Sequence, residues 1–267
     1  MLKDITLGQF FPGTTVVHRL DPRTKLLLVI VYIVALFTAK GLAGYLLVFA
    51  FLAAAFFLSK IRPSVILKGM KPLLVIICLT GLLNLFYSQG EPLVTFWIFT
   101  ITKEGIFNAL FMIWRIFMLI TGTFMLTYTT SPIALTDGLE LLLNPLKKIK
   151  LPVHELSMMM CIALRFIPTL IEETDKIMSA QKARGADFES GNLIQRAKAL
   201  IPILVPLFVS AFRRADELAV AMECRCYQGG KGRTRMKQLH YARRDYLALL
   251  LGFGLLTAVI ALRTLGI

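Results

Sequence analysis

Charged residues are scarce in this chain, and acidic residues are the scarcest of them. Asp, Glu, Lys and Arg make up 17% of the 267 residues, whereas a soluble domain of this size carries about 25%. Hydrophobic residues reach 57% and stand in long blocks, which indicates that lipid is part of the solvent. The net charge of +14 is typical of nucleic-acid binding or of basic cytoplasmic faces on a membrane protein. The apolar blocks favour the membrane, and we expect no nucleic-acid partner.

Sequence signatures of catalytic sites are missing. Residues 229–232 (GGKG) lack the spacing of a phosphate-binding P-loop, so we do not expect this chain to bind ATP. The G-x-S-x-G and H-E-x-x-H motifs are absent as well. The three histidines are far apart in the sequence and form no metal-ligand pair. We predict a non-catalytic chain with no cofactor and no metal, which depends on a separate chain for energy.

Cysteine is infrequent, with four residues in the chain. Cys78 lies in an apolar block, and Cys224 and Cys226 form a C-x-C that is tighter than ordinary zinc-finger spacing. We therefore interpret the cysteines as small apolar residues in a reducing compartment, in preference to a disulfide or a metal site.

The apolar blocks predict about five transmembrane helices. Residues 26–58 would form a single helix of about 50 Å, which exceeds a bilayer core of about 30 Å, so we divide them near Lys40 and Gly41. Three further spans are predicted near residues 72–87, 105–128 and 246–262. Val94–Ile101 is too short to cross as a helix and is interpreted as part of a loop or a shallow insertion. The predicted fold is an all-α integral membrane protein.

Residues 129–245 differ from the rest of the chain. They hold more than half of the Lys and Arg residues, mixed with large apolar residues at helical spacing, which is typical of long amphipathic helices along or below the membrane. We therefore divide the chain into a bundle of four spans (1–128), this charged region (129–245) and a last span (246–267). Basic and non-basic loops alternate, so the positive-inside rule places the N-terminus and residues 129–245 in the cytoplasm.

Arg115 lies near the middle of the fourth predicted span. An ionisable residue at that depth is a functional candidate by default. The alternative is a structural role, in which it faces the bundle or a neighbouring subunit and finds a carbonyl partner. We favour the structural role, because no acidic residue lies in any predicted span to complete a proton relay.

The most informative feature is a weak internal repeat within residues 129–245. The segment from Asp175 to Gly185, shifted by 41 residues, matches the segment from Asp216 to Cys226. Identical residues coincide at three pairs of positions: Asp175 and Asp216, Ala180 and Ala221, and Arg184 and Arg225. Both segments end in one arginine between two small residues: Ala183-Arg184-Gly185 and Cys224-Arg225-Cys226.

Each repeat copy predicts a helix whose C-terminal end presents one arginine. Small neighbours let a partner approach the backbone closely, and the guanidinium offers a planar fork of donors suited to a buried carboxylate. Two such ends suit a partner with two similar halves. The alternative is that Arg184 and Arg225 only complement the negative ends of their own helices.

These motifs, with several others, resemble one family over nearly the whole chain. The resemblance is carried by residues 7–13 (LGQFFPG), 18–25 (HRLDPRTK), 163–168 (ALRFIP), 183–186 (ARGA), 224–227 (CRCY) and 232–235 (GRTR). They are similar to the transmembrane T component of energy-coupling factor (ECF) vitamin transporters, within the broader cobalt-transport Q-subunit family.

The resemblance implies that two cytoplasmic coupling helices dock on two ATP-binding cassette (ABC) ATPase subunits. Each helix would dock through its x-Arg-x motif, so the docking residues would be Ala183, Arg184, Gly185, Cys224, Arg225 and Cys226. It also implies a membrane-embedded S component that captures the vitamin. The second triplet departs from the family pattern, in which Ala more often precedes the arginine, and its thiols leave redox sensitivity open. A dedicated cobalt or nickel T subunit and a stand-alone secondary carrier remain as alternatives.

Overall fold

The computed structural model describes residues 10–87, 92–96, 99–188, 192–229 and 238–265. Ten α-helices are described: α1 (Pro22–Thr38), α2 (Gly41–Ser59), α3 (Pro63–Met70), α4 (Leu74–Tyr87), α5 (Lys103–Thr129), α6 (Pro132–Leu143), α7 (Val153–Ala183), α8 (Leu193–Ala199), α9 (Ile201–Cys224) and α10 (Arg243–Thr264). Short 3-10 helices join α3 to α4 (Lys71–Leu73) and follow α6 (Asn144–Ile149). The predicted all-helical architecture is confirmed.

A short hairpin interrupts the helices in the segment predicted as a loop or shallow insertion. Strand β1 (Pro92–Phe96) pairs antiparallel with β2 (Phe99–Thr102), with an irregularity between Pro92 and Val94. The segment is rich in β-branched and aromatic residues, which favour strands. Pairing of the two strands also satisfies their backbone hydrogen-bonding groups.

Six helical stretches of the described residues are long and apolar enough to cross a membrane: Gly41–Ser59, Pro63–Phe86, Lys103–Thr129, Val153–Ala183, Ile194–Cys224 and Arg243–Thr264. Four of them correspond to predicted spans. The predicted first span is α1, whose 17 residues are shorter than these six. The stretches that contain α7 and α9 lie in the region predicted as amphipathic. The protein is therefore a multi-pass membrane protein with roughly the predicted number of spans.

The chain divides into two compact units, with the boundary inside α6. We call residues 10–138 and 239–265 the bundle unit, and residues 139–238 the helix-pair unit. The core of the bundle unit lies among α1, α2, α5 and α10, around Leu36, Val48, Met118 and Val259. A second cluster joins α3, α4 and α5 around Ile66, Met70, Ile77 and Tyr128. Many large apolar side chains of α2 and α10 point outward, such as Phe57, which is 78% exposed.

Candidate functional site

The first repeat copy ends where the sequence predicted. Helix α7 runs to Ala183, and Arg184 is its C-cap. Gly185 follows with φ +88°, its N–H donates to Lys182 O at 3.0 Å, and the N–H of Ala186 donates to Gln181 O at 3.0 Å. This pair of bonds is a Schellman motif, which satisfies the last carbonyl groups of the helix. Glycine suits the left-handed residue because it has no Cβ.

The second repeat copy ends in the same way. Helix α9 runs to Cys224, and Arg225 is its C-cap. The N–H of Cys226 donates to Glu223 O at 2.8 Å, and the N–H of Tyr227 donates to Met222 O at 3.1 Å. Cys226 therefore occupies the left-handed position that Gly185 occupies in the first copy, at φ +54°. The repeat seen in the sequence is thus a repeat of backbone geometry.

Both arginine side chains are exposed. Within the part of the chain that the structure describes, neither guanidinium has a hydrogen bond or an ion pair. The carbonyl groups of each helix end are instead satisfied by backbone N–H groups. Arg184 and Arg225 are therefore free to form bidentate contacts with an acidic partner.

Polar contacts show that α7 and α9 pack in opposite directions. Near the end of α7, the Gln181 side chain donates to Pro202 O at 3.5 Å. In the middle, Glu173 accepts a hydrogen bond from Ser210 and pairs with Arg214. Residues nearer the start of α7 thus contact residues further along α9, so the two helices run antiparallel. The two arginine motifs consequently stand at opposite ends of the helix pair.

The ion pair between Glu173 and Arg214 marks a crossing point of α7 and α9, two residues before each repeat copy. Glu173 Oε2 lies 3.1 Å from an Arg214 guanidinium nitrogen, and the two residues are 41 positions apart, which is the period of the repeat. Glu173 and Arg214 are thus equivalent positions of the 41-residue shift that lie in direct contact. Arg184 and Arg225 each lie 11 residues beyond this crossing, so at 1.5 Å per residue they are up to about 33 Å apart.

A polar contact also fixes the turn after Arg225. The Tyr227 hydroxyl lies 3.5 Å from His154 Nε2, and His154 Nδ1 lies 3.1 Å from Glu140 Oε1. His154 stands in the first turn of α7, and Glu140 is buried. The second arginine motif is therefore held to the opposite end of α7 from the first motif. No local sequence pattern predicts this contact, because the residues are far apart along the chain.

Apolar residues cover much of the exposed surface of α7 and α9. Met159 and Met160 are 55% and 42% exposed, and Phe208 and Phe212 are 60% and 69% exposed. A large exposed apolar surface marks contact with lipid or with another protein. Methionine side chains are flexible and adapt to partners of different shape.

A buried polar cluster joins three helix ends of the bundle unit and assigns a role to the motif at residues 18–25. Lys25 Nζ donates to His18 O at 3.1 Å and to Thr129 O at 2.8 Å. The Asp245 carboxylate accepts from the backbone N–H groups of Asp21 and Ala242, both at 2.8 Å. The starts of α1 and α10 and the end of α5 are thereby held together. These residues hold the helices of the bundle in place.

Contacts of Arg23 extend this cluster. Arg23 forms an ion pair with Asp21 at 3.0 Å and donates to Leu239 O at 2.8 Å. Its guanidinium also lies over the ring of Tyr241, 4.2 Å from the centroid. The Asp21 side chain accepts from the N–H of Arg23 at 2.9 Å, which caps α1. The segment before α10 is therefore anchored on the first turn of α1.

His18 organises the segment that precedes α1. Its Nδ1 lies 2.7 Å from Thr15 Oγ1, and its Nε2 lies 3.1 Å from Phe11 O. The ring lies against Gly13 so closely that an added Cβ would come within 2.8 Å of it. Burial, followed by the neighbouring Lys25 charge, lowers the pKa of His18 below the ordinary value of 6.5. His18 therefore has a structural role, which its place in the sequence did not predict.

Arg115 finds a hydroxyl group where a carbonyl was predicted. Its Nε donates to Tyr45 Oη at 2.7 Å, and its guanidinium lies 5.5 Å and 5.8 Å from the ring centroids of Tyr45 and Phe37. These contacts link α1, α2 and α5, as the structural interpretation of Arg115 expected. The sequence could not name the partner because Tyr45 is 70 residues away.

Some predicted features fall outside the described residues. These are residues 7–9 of the motif at residues 7–13, the whole motif at residues 232–235, and residues 230–232 of the GGKG stretch. Within the described ranges, no group of three or more His, Cys, Asp or Glu side chains is arranged to hold a metal ion.

Comparisons with known proteins cover nearly the whole chain. The family described as cobalt transport protein matches residues 13–236. The energy-coupling factor transporter transmembrane protein EcfT of Clostridium kluyveri is 55% identical over 250 residues, which cover 93% of each chain. The protein of that name from Thermosediminibacter oceani is 54% identical over 96% of each chain. The one from Bacillus subtilis is 49% identical over 92% of this chain and 93% of its own.

Proposed function

This chain belongs to the family of energy-coupling factor transporter transmembrane proteins, and we propose that it couples two ABC ATPase subunits to vitamin uptake. In this proposal the chain is a non-catalytic subunit of an ABC importer. The substrate is captured by interchangeable membrane-embedded S components. ATP binding and hydrolysis move the two ATPases relative to one another, and this chain passes the motion to the S component.

The observation that carries the proposal is the symmetric placement of the two arginine ends. Each exposed guanidinium follows a helix with the same Schellman turn, and both lie 11 residues from the Glu173–Arg214 crossing. Two related ATPase subunits present two similar grooves, and two symmetric ends match them. The docking residues we propose are Ala183, Arg184 and Gly185 at the first end and Cys224, Arg225 and Cys226 at the second.

Each docking contact would be an arginine held by acidic and carbonyl oxygens of one ATPase. Charge-assisted bidentate pairs combine strength with fixed geometry, and truncating one partner of a buried pair costs about 2–5 kcal/mol. The small neighbours, Ala183 and Gly185 in the first motif, leave the backbone accessible. A stiff helix on each docking point can transmit a displacement along its length.

The apolar face of α7 and α9 suits the S component. Met159 and Met160 lie on it, and their flexible side chains can adapt to several partners. The basic charge of residues 129–245 favours the cytoplasmic side, as it does for the N-terminus. We propose residues 1–128 as the N-terminal bundle, 129–245 as the coupling region and 246–267 as the last span.

Co-purification tests the proposed partners. The tagged chain is solubilised from its native membrane in mild detergent, and the proteins that accompany it are identified. Two ABC ATPases with several small membrane proteins are the expected result, and the small proteins would name the substrates. If the chain purifies only with itself, under conditions that keep known complexes together, the coupling function is wrong and a stand-alone carrier is favoured.

A dedicated metal-uptake subunit is the second candidate, because the matched family is described by cobalt transport. It predicts one dedicated S component and uptake of labelled cobalt or nickel. Vitamin uptake with several S components contradicts it. The same pair of assays therefore separates the two candidates.

A further inference from the structure

The bundle unit contains a cavity of about 460 Å³, which is partly open to the outside. It lies among α1, α2, α5 and α10, and Val16, Val17 and Leu20 of the segment before α1 also line it. Its walls are almost entirely apolar. A pocket of this size falls within the range of ligand sites in proteins, about 300–1,000 Å³.

Each wall is one face of a helix. On α1 the lining residues Leu28, Val29 and Tyr32 follow Lys25 at helical spacing. On α10 the spacing of Leu247, Ala248 and Leu251 after Arg244 places them on a common face. Polar molecules would lose their hydrogen bonds to water in such a cavity. The walls therefore fit hydrocarbon.

A free positive charge stands at one end of the cavity. The ammonium group of Lys25 is bound by the His18 and Thr129 carbonyl oxygens and by Thr130 Oγ1. Arg244 is exposed, and its guanidinium has no hydrogen bond or ion pair within the described residues. The neighbouring Asp245 carboxylate is occupied by two backbone N–H groups.

We propose that this cavity binds an acyl chain of an anionic bilayer phospholipid, whose headgroup phosphate is bound by Arg244. The guanidinium fork matches the geometry of phosphate oxygens. Arg244 lies in the first turn of α10, at the membrane–water boundary that a phosphate occupies. From Arg244 to Leu251 the cavity extends about 10 Å along α10, which is well inside one leaflet of a core of about 30 Å.

The proposed site does not depend on the coupling function. It rests on the bundle unit alone, and a lipid there would fill space between α1, α2, α5 and α10. Three of them, α1, α5 and α10, are held at their ends by the Lys25 and Asp245 cluster. A bound lipid would therefore stabilise the bundle against separation of these helices.

Native mass spectrometry of the purified full-length chain tests the proposal. The chain is exchanged into detergent containing equal amounts of phosphatidylglycerol and phosphatidylcholine, and retained lipids are weighed. We expect one phosphatidylglycerol per wild-type chain. Arg244→Gln should lower the preference for phosphatidylglycerol by about tenfold, since a charge-assisted hydrogen bond is lost. The adjacent Arg243→Gln, which is exposed and outside the cavity lining, should leave the preference unchanged.

Filling variants test the acyl chain separately. Ala248→Phe on α10 and Ala54→Leu on α2 occupy the cavity and should each remove the retained lipid. Ala261→Phe, at an exposed position of α10 outside the lining, should retain it. Because a filling variant can fail to fold, the wild-type chain is also crosslinked to a phospholipid with a photoreactive acyl chain, and adducts should fall on the Tyr32 and Leu251 peptides.

Three results would overturn the proposal. The first is a wild-type chain that retains no lipid. The second is an equal loss of preference in the Arg244→Gln and Arg243→Gln variants. The third is crosslinking spread over the outward face of α10, at Leu250 for example.

Discussion

Glu173 and Arg214 form an ion pair across the α7–α9 crossing and are separated by the same 41 residues that separate Arg184 from Arg225. The same 41-residue shift thus relates Glu173 to Arg214 and Arg184 to Arg225. The Glu173–Arg214 ion pair lies where α7 and α9 cross, and the two arginine motifs lie at opposite ends of the helix pair. The helix-pair unit therefore carries one arginine helix end on each side of the Glu173–Arg214 contact.

The Glu173–Arg214 ion pair should affect how α7 and α9 cross more than it affects the stability of the protein. Glu173→Arg and Arg214→Glu each place like charges at the crossing and should lower substrate uptake several-fold. Because such partly exposed pairs contribute only about 0.2–1 kcal/mol, thermal stability should change little. The combined exchange, Glu173→Arg with Arg214→Glu, should restore at least half of the uptake. If the exchanged pair is as impaired as the single variants, the crossing does not depend on this contact.

The two helix ends should respond oppositely to changes at their left-handed residues. Gly185→Ala should destabilise its turn by about 1 kcal/mol, since an L-residue in the left-handed region costs about 1–2 kcal/mol. Cys226→Gly removes that cost and should stabilise the second turn by a similar amount. Hydrogen exchange at residues 181–186 and 222–227 measures both. Gly254→Ala, which meets no atom within 4 Å and lies within α10, is the control and should not destabilise.

Lys25 should be among the most sensitive positions of the bundle unit. It is 5% exposed and donates to two carbonyl oxygens and a hydroxyl group. Lys25→Met removes these bonds and should lower thermal stability by about 2–4 kcal/mol, because buried acceptors lose their donor. The exposed Lys40→Met should change it by less than about 0.5 kcal/mol. Equal effects of the two changes would show that the cluster is not a structural anchor.

The segment before α1 should loosen in acid. The pKa of His18 is lowered from 6.5 by burial and by Lys25, so the unfolded segment binds a proton more readily than the folded one. The stability that neutral His18 contributes is therefore complete above pH 6.5 and is lost as the pH falls from there through the folded pKa. Hydrogen exchange of residues 10–20 between pH 7.5 and 5 should show the loss.

Two variants check that His18 is the group responsible for this pH dependence. His18→Gln should flatten the dependence, because glutamine has no charge to gain. His240→Gln, at an exposed position, should preserve it. A wild-type segment that exchanges equally across this pH range, after correction for the intrinsic exchange rate, would show that His18 is not the switch.

The sequence predicted the features that depend on residues close together along the chain. Apolar runs predicted most spans, and the repeat predicted helices that end at Arg184 and Arg225. The same shift by 41 residues also aligns Glu173 with Arg214. A repeat is recognised by similar residues, so a glutamate aligned with an arginine did not count as part of it. Their contact follows only from the packing of α7 against α9.

Contacts between distant segments could not be predicted. Asp21 and Asp245 are 224 residues apart, and Lys25 and Thr129 are 104 apart, so no periodicity connects them. The hairpin at residues 92–102 was missed for another reason. A short run of β-branched and aromatic residues in a helical chain gives no indication of its pairing partner until the register is seen.

The most direct test of the coupling account is uptake by the Arg184→Ala, Arg225→Ala double variant, measured in membranes where the S component still co-purifies. We predict that uptake falls to the level of cells without the ATPases, and that each single change lowers it at least about tenfold. Arg213→Ala, an exposed arginine on the same helix as Arg225, should transport normally. Normal uptake by the double variant with the complex intact would contradict the account, and the two arginines would be helix caps only.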